Sequence, residues 1–370
     1  MHFWQTLKKP IMVLAPMADV TDPAFRYIIA KYSKWGGQDI GTYGKFTRPH
    51  SQIVGGPDVM WTEFVSADGL FLGGYEHLIK DLAFTNAERP IVAQFFTSKP
   101  EMMRKAAELA CDLGFDGIDI NMGCPDKSVE KQGSGAAHIK NYKHAQEIIL
   151  AAMEGWEQGI SKREGATGVK ATSASGRPVS VKTRIGYNKN EIEIWIPALL
   201  ETKLAVITLH ARTRKEMSSV PAEWGHIKRA VEIRNEWRDA EGNKSETLIF
   251  GNGDVKDLAD AHEKVKETEC DGVMLGRAIF GTPWLFSNSR ELENRESFEV
   301  RKKILEILVE HTKLFEELLP HKSSAIMKKH YKAYVTGWDG AKELRMKLME
   351  AKNTGEVSSI VNEYLKNVVK

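Results

Sequence analysis

The chain has 370 residues, 42% of them hydrophobic and 28% charged, and its formal net charge is +2. This composition is typical of a soluble globular protein with one large domain and a smaller one. No run reaches the ~18 uncharged apolar residues that a membrane helix needs, and residues 1–10 lack the apolar core of a signal peptide. We therefore expect a cytoplasmic protein that does not span a membrane.

Eight short β-type runs recur through the first three-quarters of the chain, and most are continuously apolar, as strands buried on both faces are. They cover residues 11–15, 59–62, 91–95, 117–121, 179–183, 205–210, 248–251 and 272–275. Helical patterns lie between them at residues 23–32, 100–113, 142–153, 191–201, 223–237 and 255–266. This alternation predicts a (β/α)8 TIM barrel over residues 1–290. A doubly wound parallel sheet is the alternative.

Two segments, residues 36–57 and 158–177, look inserted between consecutive elements of this series. The first is rich in Gly and Pro, and the second in Gly, Ser, Thr, Ala and Lys. Both compositions predict surface loops.

After residue 290 the strand signal ends, and apolar residues recur at helical spacing. This pattern predicts a small all-α bundle domain over residues 291–370. Its helical stretches are 300–319, 324–335, 340–351 and 356–368. Residues 298–370 carry 14 basic and 10 acidic side chains, a modest excess that is compatible with a polyanionic partner.

Basic side chains cluster on the second of these helical stretches. They are Lys322, Lys328, Lys329, His330 and Lys332. From the residues alone, this cluster is either a solvated face or a surface that contacts phosphates.

Three cysteines, Cys111, Cys124 and Cys270, stand far apart in the sequence. This usage is typical of a reducing compartment, and no cysteine or histidine cluster has the spacing of zinc ligands. We expect Cys111 and Cys270, which stand in apolar stretches, to pack in the interior. We also expect no metal site.

Residues 118–137 carry the strongest signal for chemistry. The apolar run ends abruptly at Asn121, and Cys124 follows on a loop ahead of Gly133 and Gly135. Ligands of α/β proteins bind outside the carboxyl ends of the strands. Cys124 is therefore placed for chemistry rather than for packing, as a nucleophile, a general acid or a ligand.

Polar side chains also mark other predicted strands. Lys182 ends the fifth strand, so its ammonium should face the barrel mouth and pair with an anionic ring or phosphate, or form a Schiff base. His210 ends the sixth strand and is followed by Arg212 and Arg214. Gln94 lies in an apolar run and needs a hydrogen-bonding partner, which a flat heteroaromatic ring with imide edges would supply.

The seventh and eighth predicted strands end in glycine-containing turns, at residues 251–254 and at Gly276 and Arg277. Glycines let the backbone approach a ligand closely, and this region of a barrel often binds phosphate. The two turns together with an arginine indicate a phosphate-bearing ligand.

In ordered motifs over residues 11–290, the chain resembles tRNA-dihydrouridine synthases of the bacterial type, which have a helical C-terminal domain. The resemblance continues more weakly at residues 329–334 and 340–345. Its main motifs are residues 15–18, 21–26, 63–67, 94–96, 121–137, 182–186, 210–214, 252–255 and 276–278.

The resemblance implies an FMN-dependent reductase acting on uridine in tRNA, with NADPH or NADH as the reductant. It implies that the flavin contacts Pro16, Met17, Ala18, Gln94, Lys182, His210, Asn252, Gly253, Asp254, Gly276 and Arg277. It also implies that Asn121, Arg212 and Arg214 orient the base or its phosphates, and that Lys328, Lys329 and Lys332 contact tRNA. We expect such a protein to be a monomer.

The mechanism implied by the resemblance transfers a hydride from flavin N5 to C6 of an extruded uracil, while Cys124 delivers a proton to C5. Three alternatives remain open. One is another FMN barrel acting on a free pyrimidine, such as a dihydroorotate-type dehydrogenase. The others are a Schiff-base aldolase using Lys182 and a tRNA-binding protein without catalysis.

Overall fold

The computed structural model describes residues 2–41, 43–46, 48–167, 178–287 and 289–368. The strands are β1 (Ile11–Leu14), β2 (Met60–Ser66), β3 (Ile91–Phe96), β4 (Gly117–Met122), β5 (Val179–Arg184), β6 (Val206–His210), β7 (Leu248–Asn252) and β8 (Gly272–Leu275). The α-helices are α1 (Pro23–Ile29), α2 (Ala67–Gly69), α3 (Tyr75–Leu78), α4 (Pro100–Asp112), α5 (Lys127–Lys131), α6 (Tyr142–Thr167), α7 (Ile192–Leu200), α8 (Gly225–Glu236), α9 (Leu258–Thr268), α10 (Phe298–Leu318), α11 (Met327–Tyr334), α12 (Ala341–Glu350) and α13 (Thr354–Val368). The 3₁₀ and π turns are Phe3–Thr6, Ala30–Lys34, His50–Gln52, Leu70–Gly74, Ile79–Leu82, Asn86–Glu88, Gly135–Lys140, Arg277–Ile279 and Ser324–Ile326.

The eight strands form one parallel sheet in the order β1-β8-β7-β6-β5-β4-β3-β2. A parallel bridge between Val13 and Val59 joins the two ends of this order. Two backbone bonds support the junction, from Leu14 N–H to the Val59 carbonyl and from Asp58 N–H to the Met12 carbonyl. The sheet therefore closes on itself, and the prediction of a (β/α)8 barrel is confirmed.

Large aromatic side chains fill part of the barrel core. Trp4 lies before β1, and its ring centroid is 5.6 Å from that of Trp61 on β2 and 5.8 Å from that of Phe250 on β7. All three side chains are fully buried. Because both faces of each strand are covered, the strands read as apolar runs in the sequence, which is why their positions could be predicted.

The chain divides into two compact units. The barrel unit comprises residues 1–17, 58–82 and 89–276, and the helical unit comprises residues 18–57, 83–88 and 277–370. The helical unit therefore includes α1, which precedes β2 in the sequence. The predicted domain boundary at residue 290 stays a prediction.

Within the helical unit, α1 packs against α10. Phe25 on α1 stacks on His311 of α10, with ring centroids 4.8 Å apart. Asp22 begins α1 by accepting the backbone N–H of Phe25 on Oδ1 at 2.9 Å, as an N-cap residue does. The four helical stretches predicted after residue 290 correspond to α10–α13.

One predicted loop is wrong over part of its length. Residues 158–167, predicted as the start of a surface loop, continue α6 to Thr167. The helix continues because this stretch packs against α4, where Arg163 Nη1 donates to the Cys111 carbonyl at 3.0 Å and Lys162 pairs with Glu108. Residues 168–177 of that predicted loop lie outside the described residues. The other predicted loop, residues 36–57, contains a 3₁₀ turn at His50–Gln52, and its remaining described residues are irregular.

Within the described ranges, no helix has both the length and the apolar content needed to cross a bilayer.

Candidate active site

Cys124 lies in the loop that follows β4, and the asparagine near the end of that strand holds this loop. Asn121 Oδ1 accepts the backbone N–H of Gly123 at 3.2 Å and that of Cys124 at 2.9 Å. A side-chain oxygen bonded to the backbone two residues onward forms an Asx turn. The chain therefore turns tightly out of the barrel and leaves Cys124 partly exposed at the carboxyl end.

Gly135 lets the returning chain pass close to Cys124. Its φ is +62°, and a Cβ at this position would lie 2.7 Å from the Cys124 carbonyl oxygen. The same oxygen accepts the N–H of Ala136 at 3.0 Å. A side chain at residue 135 would therefore push this segment away from the thiol-bearing loop.

The Cys124 thiol is favoured over its thiolate. Burial raises the pKa of Cys124, while the charges of Lys182 and Arg184 act weakly in the opposite direction. The sulfur consequently carries a proton at neutral pH, the state that a general acid requires. The other two cysteines, Cys111 and Cys270, are buried as predicted.

A fully buried polar layer crosses the barrel beneath this loop. Gln94 on β3, Asp119 on β4 and Ser180 on β5 are neighbours in register. Gln94 Nε2 donates to Asp119 Oδ2 at 2.6 Å, and Ser180 Oγ donates to Asp119 Oδ1. Burial raises the pKa of Asp119 to about 6, and the bonds from Gln94 and Ser180 limit the rise.

Asn121 and Lys182 form the next layer toward the carboxyl end, where they are partners in register. Asn121 Nδ2 donates to Gln94 Oε1 at 3.3 Å, so the two polar layers are linked. Burial lowers the pKa of Lys182 to about 8, with Arg184 adding to the effect and Asp119 opposing it. Lys182 is thus a cation that a nearby anion would readily stabilise.

Thr208 of β6 is the register partner of Lys182, so both side chains are on the same face of the sheet. Its hydroxyl is buried and has no hydrogen-bond partner among the residues described. An orphaned hydroxyl beside a lysine indicates a place where a polar ligand edge completes the bonding.

Arg184 ties the Cys124 loop to the loop after β6, a role that the sequence did not reveal. Its Nε donates to the Gly123 carbonyl at 2.8 Å, and its Nη1 donates to the carbonyls of Thr213 and Met217, both at 3.1 Å. The side chain is 7% exposed, and burial lowers the pKa of Arg184 to about 10. In the sequence it stood only as one member of a motif.

Arg212 directs three of its nitrogens to protein acceptors. Nε donates to the Val220 carbonyl at 2.6 Å, Nη2 donates to Asp254, and Nη1 lies 3.1 Å from His210 Nε2. Because a guanidinium cannot accept, His210 Nε2 must be the acceptor, which leaves the ring proton on Nδ1. Arg212 therefore fixes the tautomer of His210. The contact of Arg212 with the substrate stays a prediction.

Neighbouring side chains pack closely against the turn after β7. Gly253 has φ of +125°, and a Cβ there would lie 2.8 Å from Ala222 Cβ and 3.1 Å from His210 Cδ2. Trp224 Nε1 donates to the Gly253 carbonyl at 2.9 Å. Asn252 Nδ2 donates to the Met274 carbonyl of β8 at 2.8 Å. These bonds hold the turn rigid beside the His210 ring.

The ends of β1 and β8 also meet. Ala15 N–H donates to the Leu275 carbonyl at 2.8 Å, and a Cβ at Gly276 would lie 3.6 Å from Met17 Sδ. Pro16 is buried and Met17 partly exposed. The predicted site residues Pro16, Met17 and Gly276 therefore lie at the carboxyl end of adjacent strands of the barrel.

Arg214 pairs with Glu130, which lies on α5 just after the Cys124 loop. Its Nε is 2.9 Å from both carboxylate oxygens of Glu130, and its Nη2 donates to one of them. The guanidinium also lies 5.3 Å from the centroid of the Tyr187 ring. Like Arg184, this pair joins the loops after β4 and β6.

Ala18 and Arg277 belong to the helical unit, although they follow Met17 and Gly276 directly in the chain. Both residues are exposed.

The predicted basic cluster is only partly correct. Lys328, Lys329 and Lys332 lie on α11, with Lys328 and Lys332 exposed and Lys329 half-buried. Lys322 precedes the helix rather than lying on it. His330 is fully buried, with its ring centroid 4.7 Å from those of Phe25 and His311, because aromatic packing in the helical unit outweighs exposure of an imidazole.

Polar and reactive side chains thus gather at the carboxyl ends of the strands, where (β/α)8-barrel enzymes hold their active sites. The barrel unit defines this chain as an enzyme of that class. Residues 13–369 match the dihydrouridine synthase family, and the chain belongs to it.

Curated relatives agree with this assignment. The chain is 34% identical over 370 residues to a probable tRNA-dihydrouridine synthase of Staphylococcus aureus strain COL, covering 98% of this chain and 95% of the relative. It is 33% identical to probable tRNA-dihydrouridine synthase 2 of Bacillus subtilis strain 168, covering 98% and 96%. Among solved structures, histamine dehydrogenase from Rhizobium sp. 4-9 matches at 11% identity with a TM-score of 0.44, covering 82% of this chain and 49% of that one.

Proposed function

We propose that this chain is a tRNA-dihydrouridine synthase, which reduces the C5=C6 bond of specific uridines in tRNA with FMN and with NADPH or NADH. The observation that carries the proposal is the position of Cys124, partly exposed on the loop that Asn121 holds, with Lys182 in register with Asn121 on the next strand. Membership of the dihydrouridine synthase family supports it. An aldolase that uses Lys182 would not require that thiol.

The residues at the carboxyl end of the barrel fit a flavin mononucleotide. The orphaned Thr208 hydroxyl and the Lys182 ammonium suit the polar edge of the ring, and the glycine-containing turns after β7 and β8 would hold the phosphate. Asp254 would contribute its backbone, since its carboxylate accepts from Arg212 and from the Ala222 N–H. We assign the cofactor to Pro16, Met17, Lys182, His210, Asn252, Gly253, Asp254 and Gly276. The contact of Gln94 with the flavin stays a prediction, because its side chain is fully buried and its amide is bonded to Asp119 and Asn121. Contacts from Ala18 and Arg277 stay predictions.

Bound reduced flavin would supply the hydride that C6 of the uracil receives. The uracil must leave the RNA stack, because neither face of its C5=C6 bond is accessible within it. Cys124 donates its proton to C5, and the neighbouring charges of Lys182 and Arg184 stabilise the thiolate that remains. Asn121 and Arg214 orient the base or its phosphates.

The direct test combines cofactor content with activity. The purified protein should be yellow and release FMN on denaturation, and it should form dihydrouridine in unmodified tRNA when NADPH is supplied, as measured by mass spectrometry of nucleosides. A colourless protein that FMN cannot reconstitute would contradict the proposal. So would a flavoprotein that binds tRNA and leaves its uridines intact.

The lysines of α11 should contribute to tRNA affinity. Replacing Lys328, Lys329 and Lys332 with Ala should raise the KM for tRNA about tenfold at low salt, with kcat and flavin content unchanged, because phosphate contacts release counterions. The wild-type and variant KM values should converge as salt increases.

A control variant removes the same charge from another helix of the helical unit. It replaces Lys302, Lys303 and Lys313 of α10, which are exposed. An equal rise of KM in both triple variants would mean that net charge, rather than the surface of α11, attracts the tRNA.

A further inference from the structure

Asp119 is a buried anion that the proposed reaction does not use. Its side chain is wholly inaccessible to solvent, inside the barrel and one layer beneath Asn121 and Lys182. A buried carboxylate destabilises a fold unless it is well bonded. Asp119 accepts one hydrogen bond on each oxygen, from Gln94 Nε2 at 2.6 Å and from Ser180 Oγ.

The carboxylate sets the direction of a chain of hydrogen bonds. An ionised carboxylate only accepts, so Gln94 must turn its Nε2 toward Asp119. Gln94 Oε1 then faces the other way and accepts from Asn121 Nδ2 at 3.3 Å. Asn121 Oδ1 is thereby left to accept the N–H of Cys124 at 2.9 Å.

Reversing any one amide in this chain would reverse the next. If Gln94 turned over, its Nε2 would face Asn121 Nδ2, and two donors would meet. Asn121 would have to turn as well, which would place its Nδ2 against the N–H groups of Gly123 and Cys124. The Asx turn that holds the thiol would then be lost.

We propose that Asp119 is a positioning residue, which holds the Cys124 loop through the amides of Gln94 and Asn121. This inference rests on the proposed role of Cys124 as the proton donor. Asp119 touches neither the thiol nor the reacting atoms, so its contribution is to fix where the proton donor lies.

Alkylation of Cys124 by iodoacetamide reports on the loop without tRNA or reductant. Cys111 and Cys270 are 1% and 3% exposed, so the Cys124 peptide can be followed by mass spectrometry in the protein as purified. Opening of the loop should increase the alkylation rate.

Three variants separate hydrogen-bond direction from charge and from folding. Asp119→Asn keeps the chain of hydrogen bonds, because the oxygen of the new amide can accept from Gln94 and its nitrogen can donate to Ser180 Oγ. The Ser180 hydroxyl can then donate to the Ile118 carbonyl, which lies 3.4 Å away. In Gln94→Glu the two buried carboxyl groups share a proton at neutral pH, which keeps the hydrogen bonds, and loss of that proton at about pH 9 sets two carboxylates against each other and breaks the chain of hydrogen bonds. The double variant Asp119→Asn/Gln94→Glu restores it, since the carboxylate introduced at position 94 accepts both from the amide introduced at position 119 and from Asn121.

At about pH 9, and relative to wild type at the same pH, we expect alkylation about tenfold faster in Gln94→Glu and within about twofold in Asp119→Asn and in the double variant. An equally fast rate in Gln94→Glu and in the double variant would overturn the proposal, as would a wild-type rate in all three. Thermal unfolding identifies any variant that fails to fold. If Gln94→Glu does not fold, the double variant still tests the proposal, because it should fold and alkylate slowly, and a double variant that also fails to fold or that alkylates fast would overturn it.

The outcome is independent of whether the protein makes dihydrouridine. If the alkylation pattern holds and tRNA is not modified, the proposed function fails while Asp119 still positions Cys124. If tRNA is modified and the pattern is absent, only the positioning role fails.

Discussion

Cys124→Ala should lower the rate of dihydrouridine formation by about 10²- to 10⁴-fold, because the variant lacks the proton donor for C5 of the uracil. Flavin content and the rate at which NADPH reduces the flavin should stay at wild-type values, since the thiol takes no part in either. The measurement is single-turnover kinetics, with the two half-reactions followed separately.

The reason for so large an effect is the position of Cys124. It is the one cysteine at the carboxyl end of the barrel among the described residues, and its raised pKa keeps it protonated at neutral pH. Cys124→Ser keeps the size of the side chain but raises its pKa further, so its rate should lie near that of the alanine variant.

Cys111→Ala is the matched control. Cys111 is buried on α4, away from the carboxyl ends of the strands. Its replacement should therefore affect stability and leave both half-reactions intact. Wild-type dihydrouridine yield in Cys124→Ala would remove Cys124 from the mechanism. Slow flavin reduction in the same variant would point to a defect in cofactor binding instead.

The strands were predictable because each is an apolar run that the closed barrel buries on both faces. β2 shows the limit of this signal, since it extends to Ser66 through Thr62 and Glu63, which are buried yet polar. A polar residue inside a strand ends the apolar pattern in the sequence, although its backbone continues the ladder.

Cys124 could be predicted because its signal is local, with glycines and a proline just beyond an apolar run. Asp119 could not, because its partners Gln94 and Ser180 are 25 and 61 residues away and meet it only in register. The same holds for Arg184, whose acceptors lie on two different loops. Contacts that depend on closure of the barrel leave no pattern in the neighbouring residues.

His330 illustrates an opposite error. It stands among lysines in the sequence, which favoured an exposed basic face, yet it lies between Phe25, Phe280 and His311. Burial lowers its pKa well below the usual value. A buried imidazole is neutral, so counting His330 among the basic residues overstates the charge of α11.

Arg26→Met should destabilise the protein by about 3–5 kcal/mol, because it leaves the carboxylate of Glu88 buried without its cation. Both side chains of this pair in the helical unit are 0% exposed, and Arg26 Nε lies 2.8 Å from Glu88 Oε2. Arg26 also donates to the carbonyls of Thr21 and Ala83 at 2.6 and 2.5 Å. Urea unfolding measures the change in free energy.

Two variants identify the cause of the loss. Arg26→Met/Glu88→Gln should recover much of the stability, because a neutral amide needs no cation and its oxygen can still accept the Thr85 N–H. Lys31→Met breaks the partly exposed pair between Lys31 and Glu310, which should change stability by only about 0–1 kcal/mol.

The loss in Arg26→Met should also depend on pH in a defined direction. Burial raises the pKa of Glu88 even in the wild type, where Arg26 opposes the rise, so removal of Arg26 raises it further. Between the unfolded pKa of about 4.3 and this raised folded pKa, the folded state holds a proton that the unfolded state has released. Stability must then fall as pH rises through that window. A deficit that is equal at pH values of about 4.5 and about 8 would show that lost packing of Arg26, rather than an unpaired charge on Glu88, weakens the variant.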